Sequence, residues 1–464
     1  MFFHSPSDKL DKGEGGWFLL VISIHFMEWK GFYGKAFFMT WRHLFTHFRR
    51  VLLLTTFLTL GMGGFGNGEE PADQWVYIGN YLSDPTPEMI ENHLGKPKGI
   101  YVADYDSRSG KIGVPRLAFE MNSPNFFALS PDKRILYAIS SSGVYSFTVD
   151  PKTGDLTLLN RSESETATCY CHVSVSPDGR FLATSDYSGG FFDFYRLNPD
   201  GSIGDFTARF DKPGGSKGDP RRQMSPFGHS AYFIQDGEIL RAFLVDLGSD
   251  RVSIVRIDPE TGKPTPDPEI PELKVPTGHG SRHMAWTRND DGSLWIFVNN
   301  ELASTVTFFR VSFDKEGAKM DDYGTFSTLP AEFAGKVDWE QAKVDAEEGL
   351  TLMNSTAEVA FREGRNGNPP TVYVSNRGHD SIAVFQVVTD GDQPTLRSIQ
   401  FQPTFGVAPR YFEIDKPGDH LLACNKRSGS IYSFRIAEDG TLTKLDYPPV
   451  RTPWPVALAF IDKE

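Results

Sequence analysis

The sequence predicts an all-β fold, a seven-bladed β-propeller, and three observations lead to this prediction. Short alternating segments rich in β-branched and aromatic residues recur along the chain, separated by Pro-Asp, Asp-Gly, Asn-Gly or Gly-Asp turns. These turns begin at positions 131, 177, 236, 291, 366 and 418, which are 46 to 75 residues apart. Helical periodicity is nearly absent. Repeats of roughly 40–50 residues built from strand hairpins are typical of β-propellers.

Each of six units has a strand-like segment before its turn and further segments after it. The first segments are Phe126–Leu129, His172–Val175, Ser230–Ile234, His283–Trp286, Glu358–Phe361 and Tyr411–Ile414. The second segments include Ile135–Ile139, Phe181–Ser185, Leu294–Val298, Thr371–Ser375 and Leu421–Cys424. The third segments are Val144–Val149, Phe191–Leu197, Val252–Ile257, Val306–Val311, Ile382–Val388 and Ile431–Ile436. Together these hairpins account for six blades.

The two ends of the chain supply the seventh blade. Trp75–Tyr81 and Gly99–Tyr105 have the pattern of later strands, whereas Val456–Phe460 has the pattern of a first strand. Pairing them in one sheet would close the ring and leave no terminal blade edge exposed. A two-domain β-sandwich is the alternative, but it does not explain complementary fragments at the two ends. Two stretches interrupt the repeat, Leu82–Lys98 and Ala331–Leu352, and each is either a lid or a neutral surface insertion.

The N-terminal residues have the pattern of an export signal. Arg42, Arg49 and Arg50 precede the apolar run Val51–Leu60, which is followed by small residues up to Gly68. We therefore expect residues 1–38 to be an over-extended start, 39–68 a signal peptide and 69–464 the propeller domain. The alternative is a membrane anchor, but the apolar run is shorter than the roughly 18 residues that a span needs. The protein is predicted to be exported, to the periplasm, without stable membrane insertion.

The composition restricts the classes of partner, metal and cofactor that the protein is expected to bind. With 47 basic and 60 acidic residues the net charge is −13, which argues against nucleic acid as a partner. Three cysteines, Cys169, Cys171 and Cys424, form neither a disulfide framework nor a Cys-x-x-Cys zinc pair. We expect no metal and no cofactor, and the oligomeric state stays open.

Polar residues collect at one predicted rim. In an antiparallel blade, the start of the first strand and the end of the second strand lie at the same edge. The starts carry Cys171, His172, His229, Ser230, Arg282, His283, Ala357, Glu358, Pro409 and Arg410. The ends carry Asn80, Tyr81, Asp186, Tyr187, Asp246, Asn300, Glu301, Asn376, Arg377, Asn425 and Lys426. Asn80, Asn300 and Asn425 are expected to satisfy turn backbone.

The charged members of this set have two interpretations. Arg282, Glu301, Arg377, Glu358 and His229 could form a structural ion-pair ring. They could instead form a binding site, because several cations in an otherwise acidic protein favour a small anionic ligand. Guanidinium groups match carboxylate and phosphate groups in a bidentate geometry.

At these residues the sequence resembles the seven-bladed lactonase family, which includes propeller 6-phosphogluconolactonases and a carboxymuconate-lactonising cyclase. The resemblance covers Trp75 to Phe460. It is carried by Cys171–Phe181, Arg222-Gln223, Pro226, His229-Ser230, Arg282-His283, Asn300-Glu301, Ala357-Glu358, Ser375–Phe385 and Pro409-Arg410. It implies four catalytic residues, His229, Arg282, Glu301 and Arg377. His172, Arg222, Glu358 and Arg410 would be further substrate contacts. The lactonase branch usually has a histidine where this chain has Phe227.

The leading hypothesis is metal-independent hydrolysis of a small anionic lactone or sugar lactone. His229 or Glu301 would be the base, and Arg282 and Arg377 would hold the anionic group and the oxyanion. The second hypothesis is a lactonising cyclase, or cycloisomerase, that uses the same residues. The third is a non-catalytic exported propeller that binds an anionic sugar or a partner protein. A Cys171–His172 dyad is disfavoured, because consecutive strand residues point to opposite faces.

Overall fold

The structure, a computed structural model, describes residues 72–212, 214–314, 317–333, 354–391 and 393–464. In this part of the chain, 31 strands form seven antiparallel sheets of four or five strands each. The sheets are the blades of a β-propeller, which confirms the predicted fold class. The β-sandwich alternative is wrong, because the strands divide into seven sheets arranged in a ring.

The chain enters the propeller through outer strands of the last blade. These are β1 (Gln74–Asn80), β2 (Gly99–Asp106), β3 (Lys111–Ile112) and β4 (Arg116–Glu120). Blade 1 contains β5 (Phe126–Leu129), β6 (Ile135–Ile139), β7 (Gly143–Val149) and β8 (Leu156–Glu163). Blade 2 contains β9 (Tyr170–Val175), β10 (Phe181–Asp186), β11 (Phe191–Leu197) and β12 (Ile203–Asp211). Blade 3 contains β13 (Gly228–Asp236), β14 (Ile239–Asp246), β15 (Arg251–Ile257), β16 (Pro264–Pro266) and β17 (Glu272–Lys274).

The remaining blades repeat the same order from the inside outwards. Blade 4 contains β18 (Ser281–Arg288), β19 (Leu294–Asn300), β20 (Thr305–Asp314) and β21 (Gly317–Ser327). Blade 5 contains β22 (Ser355–Arg362), β23 (Thr371–Arg377), β24 (Ser381–Asp390) and β25 (Gln393–Pro403). Blade 6 contains β26 (Pro409–Ile414), β27 (His420–Asn425), β28 (Ser430–Ile436), β29 (Leu442–Lys444) and β30 (Val450–Arg451). Blade 7 is completed by β31 (Pro455–Asp462).

The ring closes through the two ends of the described chain. Strand β31 is the innermost strand of blade 7 and pairs with β1, with Val76 opposite Phe460 and Ile78 opposite Leu458. The innermost strands β5, β9, β13, β18, β22, β26 and β31 each contact the next one around the ring. The prediction that the N- and C-terminal strands share the closing blade is therefore confirmed.

Apolar residues hold neighbouring blades together. Between blades 6 and 7, for example, Val76 and Ile78 pack with Leu422 and Ile431, and all four side chains are at most 3% exposed. Because both faces of a blade are covered in this way, second strands such as β6, β10 and β27 are buried along their whole length. Burying apolar side chains stabilises the fold by about 1.5–3 kcal/mol for each large residue. The closed ring therefore gives the inner strand ends fixed positions.

The two predicted interruptions fall partly within the described residues. The loop 82–98 contains the short helix α1 (Pro87–Glu91), and Thr86 caps it by accepting a hydrogen bond from the Met89 amide. The Thr86 hydroxyl also donates to the Arg427 carbonyl at 2.9 Å, so this loop lies against blade 6. Most of the second interruption, and the predicted segments 1–38 and 39–68, lie outside the described residues. No helix in the described part of the chain is long and apolar enough to cross a membrane.

Candidate active site

A β-bulge near the start of the innermost strand recurs in blades 2 to 7. In blade 3, Gly228 pairs with Asp246 and Ser230 with Val245, so His229 has no partner of its own on β14. The same displacement of register occurs in five further blades. It leaves without their own partner Cys171 in blade 2, Arg282 in blade 4, Ala357 and Glu358 in blade 5, Arg410 in blade 6 and Val456 in blade 7. Bulges change the direction of a side chain and are frequent beside active sites. They place His229, Arg282, Glu358 and Arg410 outside the regular ladder, whereas the predicted site residue His172 pairs with Ser185 within it.

The second strands contribute at a different, equally regular position. Each of β1, β10, β14, β19 and β27 ends on Asn or Asp, and these residues serve the turns. Asn80 donates to the Gly99 carbonyl, Asn425 donates to the Thr404 carbonyl, and Asn300 donates to two threonine hydroxyls. In five blades, the residue directly after this Asn or Asp reaches the site. These residues are Tyr81, Tyr187, Glu301, Lys426 and, in blade 5, Arg377.

Three arginines converge on Glu301. Its Oε2 atom lies 3.0 Å from Arg282 Nε and 3.0 Å from a terminal nitrogen of Arg377, and its Oε1 atom lies 3.0 Å from Arg222. The arginines come from blade 4, blade 5 and the loop before blade 3, so one carboxylate joins three parts of the ring. Arg222 also donates to the Tyr187 hydroxyl at 2.8 Å.

The electrostatics of this group follow from the excess of cations. Burial by itself would raise the pKa of Glu301, but Arg377, Arg282 and Arg222 outweigh burial and hold that pKa far below its usual range. Arg282 is 2% exposed, and burial together with Arg410 and Arg377 lowers its pKa to about 10. Both groups are therefore charged at neutral pH. Three guanidinium groups around one carboxylate leave net positive charge.

His229 lies beside this group. Its Nε2 atom is 3.9 Å from Glu301 Oε2, which is too long for a direct hydrogen bond. Burial, followed by Arg282, His283 and Arg410, lowers the pKa of His229 well below its usual value, so the ring is neutral at pH 7. Gly228 fixes its approach to blade 2, because a Cβ atom there would lie 2.9 Å from the Phe191 carbonyl oxygen.

Cys171 is the neighbour of His229 that the sequence did not predict. Its sulfur is 4.0 Å from His229 Nδ1 and 3.2 Å from the His229 carbonyl oxygen, to which the thiol donates. Burial raises the pKa of Cys171 to about 12, so the sulfur carries a proton at neutral pH and is not a nucleophile. A dyad of Cys171 with His172 was not expected. His172 packs against Phe126, and the two ring centres are 4.2 Å apart.

A second layer lies deeper in the channel. His283 Nδ1 is 3.0 Å from both carboxyl oxygens of Glu358, and the ring centre of His283 is 5.1 Å from that of His229. Burial raises the pKa of Glu358 to about 8, although Arg282 and the Val359 amide act in the opposite direction. A protonated Glu358 therefore donates to a neutral His283 at pH 7. His172 meets this layer through His283, at a ring distance of 5.5 Å.

Two buried nitrogen donors face this region without a partner among the described residues. They are Arg377 Nε and His283 Nε2. An unsatisfied buried donor costs about 1–3 kcal/mol, so such groups are candidates for contact with a ligand.

Arg410 stands slightly apart from the Glu301 group. It donates to the Tyr81 hydroxyl at 2.6 Å, and its guanidinium lies 4.9 Å from the Tyr81 ring centre. Lys426 lies 4.6 Å from the same ring centre. Phe227, where the resemblance implies a histidine, packs on Tyr187 with ring centres 4.9 Å apart.

The structure thus brings His229, Arg222, Arg282 and Arg377 together around Glu301, and sets His172 and Glu358 one layer deeper. No role in the site was predicted for His283, Tyr187 or Lys426, although all three lie at the strand ends from which the other site residues were chosen. In the described ranges, no three His, Cys, Asp or Glu side chains are grouped so as to hold a metal ion.

A large cavity lies elsewhere in the propeller. It has a volume of about 1370 Å³ and is lined by turns of blades 1 and 2, including Pro131–Arg134 and Asp178–Arg180, and by residues 461–464. In its lining, Asp178 serves its own turn by pairing with Arg180 at 2.7 Å, whereas Asp462 pairs with Lys416 at 3.0 Å. This cavity lies at the end of the blades opposite to Glu301.

The fold and the cluster define a propeller whose inner strand ends hold an arginine-rich polar site. The chain belongs to the seven-bladed β-propeller lactonase family, whose profile matches residues 75–460. It is 28% identical over 390 residues to a 6-phosphogluconolactonase of Bacillus subtilis, covering 83% of this chain and 97% of that protein. It is 27% identical to a 6-phosphogluconolactonase of Formosa agariphila, covering 75% of this chain and 91% of that protein.

A solved structure supports the same fold. A periplasmic gluconolactonase of Pseudomonas aeruginosa superposes with a TM-score of 0.67 at 24% identity, over 84% of this chain and 99% of that one. At this level of identity the likeness concerns the fold.

Proposed function

We propose that this protein hydrolyses a sugar lactone at the Glu301 site, by general acid–base chemistry that needs no metal. The single observation that carries the proposal is the convergence of three arginines and a neutral histidine on one buried carboxylate. Family membership and the 6-phosphogluconolactonase relatives support the reaction class.

The arginines would bind the reacting ester. Arg377 Nε is buried and has no partner among the described residues, so it is available to a carbonyl oxygen. As water adds to the carbonyl carbon, that oxygen becomes an oxyanion, and fixed cationic donors stabilise it more than the neutral carbonyl. Arg282 supplies a second permanent charge beside it. Glu301 positions both guanidinium groups through its Oε2 atom.

His229 is the better candidate for the base. Both oxygens of Glu301 already accept from arginine, and its pKa is far below neutrality, so it has little affinity for a proton. His229 is neutral, and its Nε2 atom lies 3.9 Å from Glu301 Oε2, beyond hydrogen-bond distance. In the tautomer that carries the proton on Nδ1, the lone pair of Nε2 can take a proton from water. The charge of Glu301 would stabilise the imidazolium as it forms.

The proposed reaction has two steps, the addition of water and the opening of the lactone ring. Water adds to the lactone carbonyl while its proton passes to His229 Nε2, and the arginines hold the oxyanion. When the tetrahedral species collapses, the ring C–O bond breaks and the alkoxide takes the proton back from the imidazolium. The product is an open hydroxy acid, and His229 returns to its neutral form.

We also propose that the protein acts outside the cytoplasm. The support is the basic and apolar pattern of residues 39–68, which lies outside the described residues. Mass spectrometry of the mature N-terminus tests this, because a chain that retains Met1 or Met39 in the cytoplasm would contradict export.

The reaction itself is tested by following the loss of glucono-δ-lactone above its spontaneous rate.

A further inference from the structure

The cations of the site differ in whether they have an acidic partner. Arg222, Arg282 and Arg377 all contact Glu301 within 3.0 Å. Arg410 and Lys426 have no carboxylate within 4.0 Å among the described residues. Their neighbours are aromatic, because both lie within 5 Å of the Tyr81 ring centre.

We propose that Arg410 and Lys426, packed on Tyr81 between blades 6 and 7, form a second anion subsite. It would bind an anionic substituent of the substrate, carboxylate or phosphate, remote from the ester that is hydrolysed. The inference rests on the proposed function, since it divides the substrate between two parts of one site. The Glu301 arginines would take the lactone carbonyl, and the Arg410–Lys426 subsite would take the remaining negative charge.

The backbone around Lys426 supports a built site. Trp454, immediately before β31, has a φ of 51°, a left-handed conformation that is unusual for a bulky residue. Its ring centre lies 5.3 Å from Lys426 Nζ, and its indole N–H donates to the Asp84 carbonyl at 3.1 Å. Ala408, whose carbonyl accepts from the Lys426 amide, has a φ of 58°. Two left-handed residues thus flank the two cations.

Among the described residues, the charged groups that most affect Lys426 are cations. Burial, followed by the cations around it, lowers its pKa to about 7, so the amine is only partly charged at neutral pH. An anion beside it would restore the charge, because opposite charge raises the pKa of an amine. Binding above pH 7 should therefore take up a proton. The charged or titratable groups of the described chain that act most strongly on Lys426, or lie against it, are Arg410, Arg377, Arg427, Arg282 and Tyr81.

The test is calorimetric binding of three reaction products to the full-length protein at pH 8. Gluconate, glucarate and 6-phosphogluconate differ only at C6, which is a hydroxymethyl group, a carboxylate or a phosphorylated hydroxymethyl group. We expect the wild type to bind at least one of the two C6 anions roughly tenfold or more tightly than gluconate, as charge-assisted bonds would give. The tighter of the two identifies the anion. Repeating the titration in buffers of different ionisation enthalpy should reveal proton uptake for that ligand.

Variants of Lys426 distinguish anion binding at the subsite from a general effect of the positive charge of the protein surface. Lys426→Met should lose most of the preference and the proton uptake, whereas Lys426→Arg should keep the preference and lose only the uptake. Lys463→Met is the matched control, because Lys463 lies 3.8 Å from the Trp75 ring centre at the other end of blade 7. Equal binding of all three acids by the wild type, or an unchanged preference in Lys426→Met, would overturn the subsite.

The outcome is independent of turnover. If the C6 anions bind selectively but no lactone is hydrolysed, the subsite stands and the proposed hydrolysis is wrong. If lactones are hydrolysed but the acids bind equally, the subsite is wrong and the proposed function stands.

Discussion

Glu301 and Arg377 meet across the boundary between blades 4 and 5, with Glu301 Oε2 3.0 Å from a terminal nitrogen of Arg377. Arg282 reaches the same oxygen atom at 3.0 Å from the start of β18. Because the contact joins neighbouring blades, it links the closure of the ring to the geometry of the site. Any change in the angle between these blades would separate the groups.

Removing the charge of Glu301 should cost both stability and activity. In Glu301→Gln three guanidinium groups remain close together without their carboxylate, and breaking a buried ion pair typically costs about 3–5 kcal/mol. We expect a lower midpoint of urea unfolding and a large loss of lactone hydrolysis. Glu272→Gln is the control, since Glu272 pairs with Arg251 at a partly exposed position. If the two variants unfold at the same urea concentration, Glu301 does not hold the arginines together.

The acidic limb of the pH–rate profile should lie well below pH 6.5. His229 acts as a base only when neutral, and burial beside Arg282 lowers its pKa well below the usual value. We therefore expect kcat/KM for glucono-δ-lactone to stay constant as the pH falls from 7 through 6. The measurement is the initial rate corrected for spontaneous hydrolysis at each pH. A limb at or above pH 6.5 would show that His229 is not the buried neutral base.

Glu358 should make the folded state less stable as the pH rises. Burial raises its folded pKa to about 8, so the folded protein keeps a proton that the unfolded chain releases near its usual pKa of 4.5. Its contribution is therefore fully present below pH 4.5 and is lost as the pH rises towards 8. Glu358→Gln should remove this trend. Comparing the unfolding free energies of the two proteins between pH 5 and 8 tests the sign, and a constant difference would contradict it.

Cys171 should be dispensable for turnover. Its thiol is protonated at neutral pH and donates to the His229 carbonyl, which a serine hydroxyl can also do. We expect Cys171→Ser to hydrolyse lactones as the wild type does, and iodoacetamide to leave Cys171 unmodified in the folded protein. Loss of turnover in Cys171→Ser, or rapid alkylation of Cys171, would point to nucleophilic catalysis instead.

The blade plan could be predicted from the sequence because the second strands of the blades are buried on both faces, as β6, β10 and β27 are. The predicted bounds of β5, β6 and β11 agree with the structure to the residue. The outermost strands were not predicted. Strand β12, for example, alternates between half-buried and exposed positions, so its apolar signal is weak. Helix α1 was also missed, because five residues with one buried side chain give no periodicity.

The site was predictable only in part, for a geometric reason. Residues at the predicted strand ends were expected to lie at a common rim of the propeller. Arg282, Glu301 and Arg377 are among them. The bulges are not visible as a pattern in the sequence, yet they decide that Cys171 contacts His229. The pairing of His283 with Glu358 likewise joins blades 4 and 5, and no spacing along one strand encodes it.

The most direct test of the central claim is the rate at which the full-length wild type and His229→Gln hydrolyse sugar lactones. His279→Gln is the control, since His279 is half-buried and bonded to Thr305 at 3.0 Å. Loss of diene absorbance from a muconate substrate, measured in parallel, would reveal a cyclase. We predict that the wild type hydrolyses glucono-δ-lactone or 6-phosphoglucono-δ-lactone well above the spontaneous rate, and that His229→Gln is slower by about 100-fold or more. A wild-type rate equal to that of buffer, or an unimpaired His229→Gln, would contradict the account.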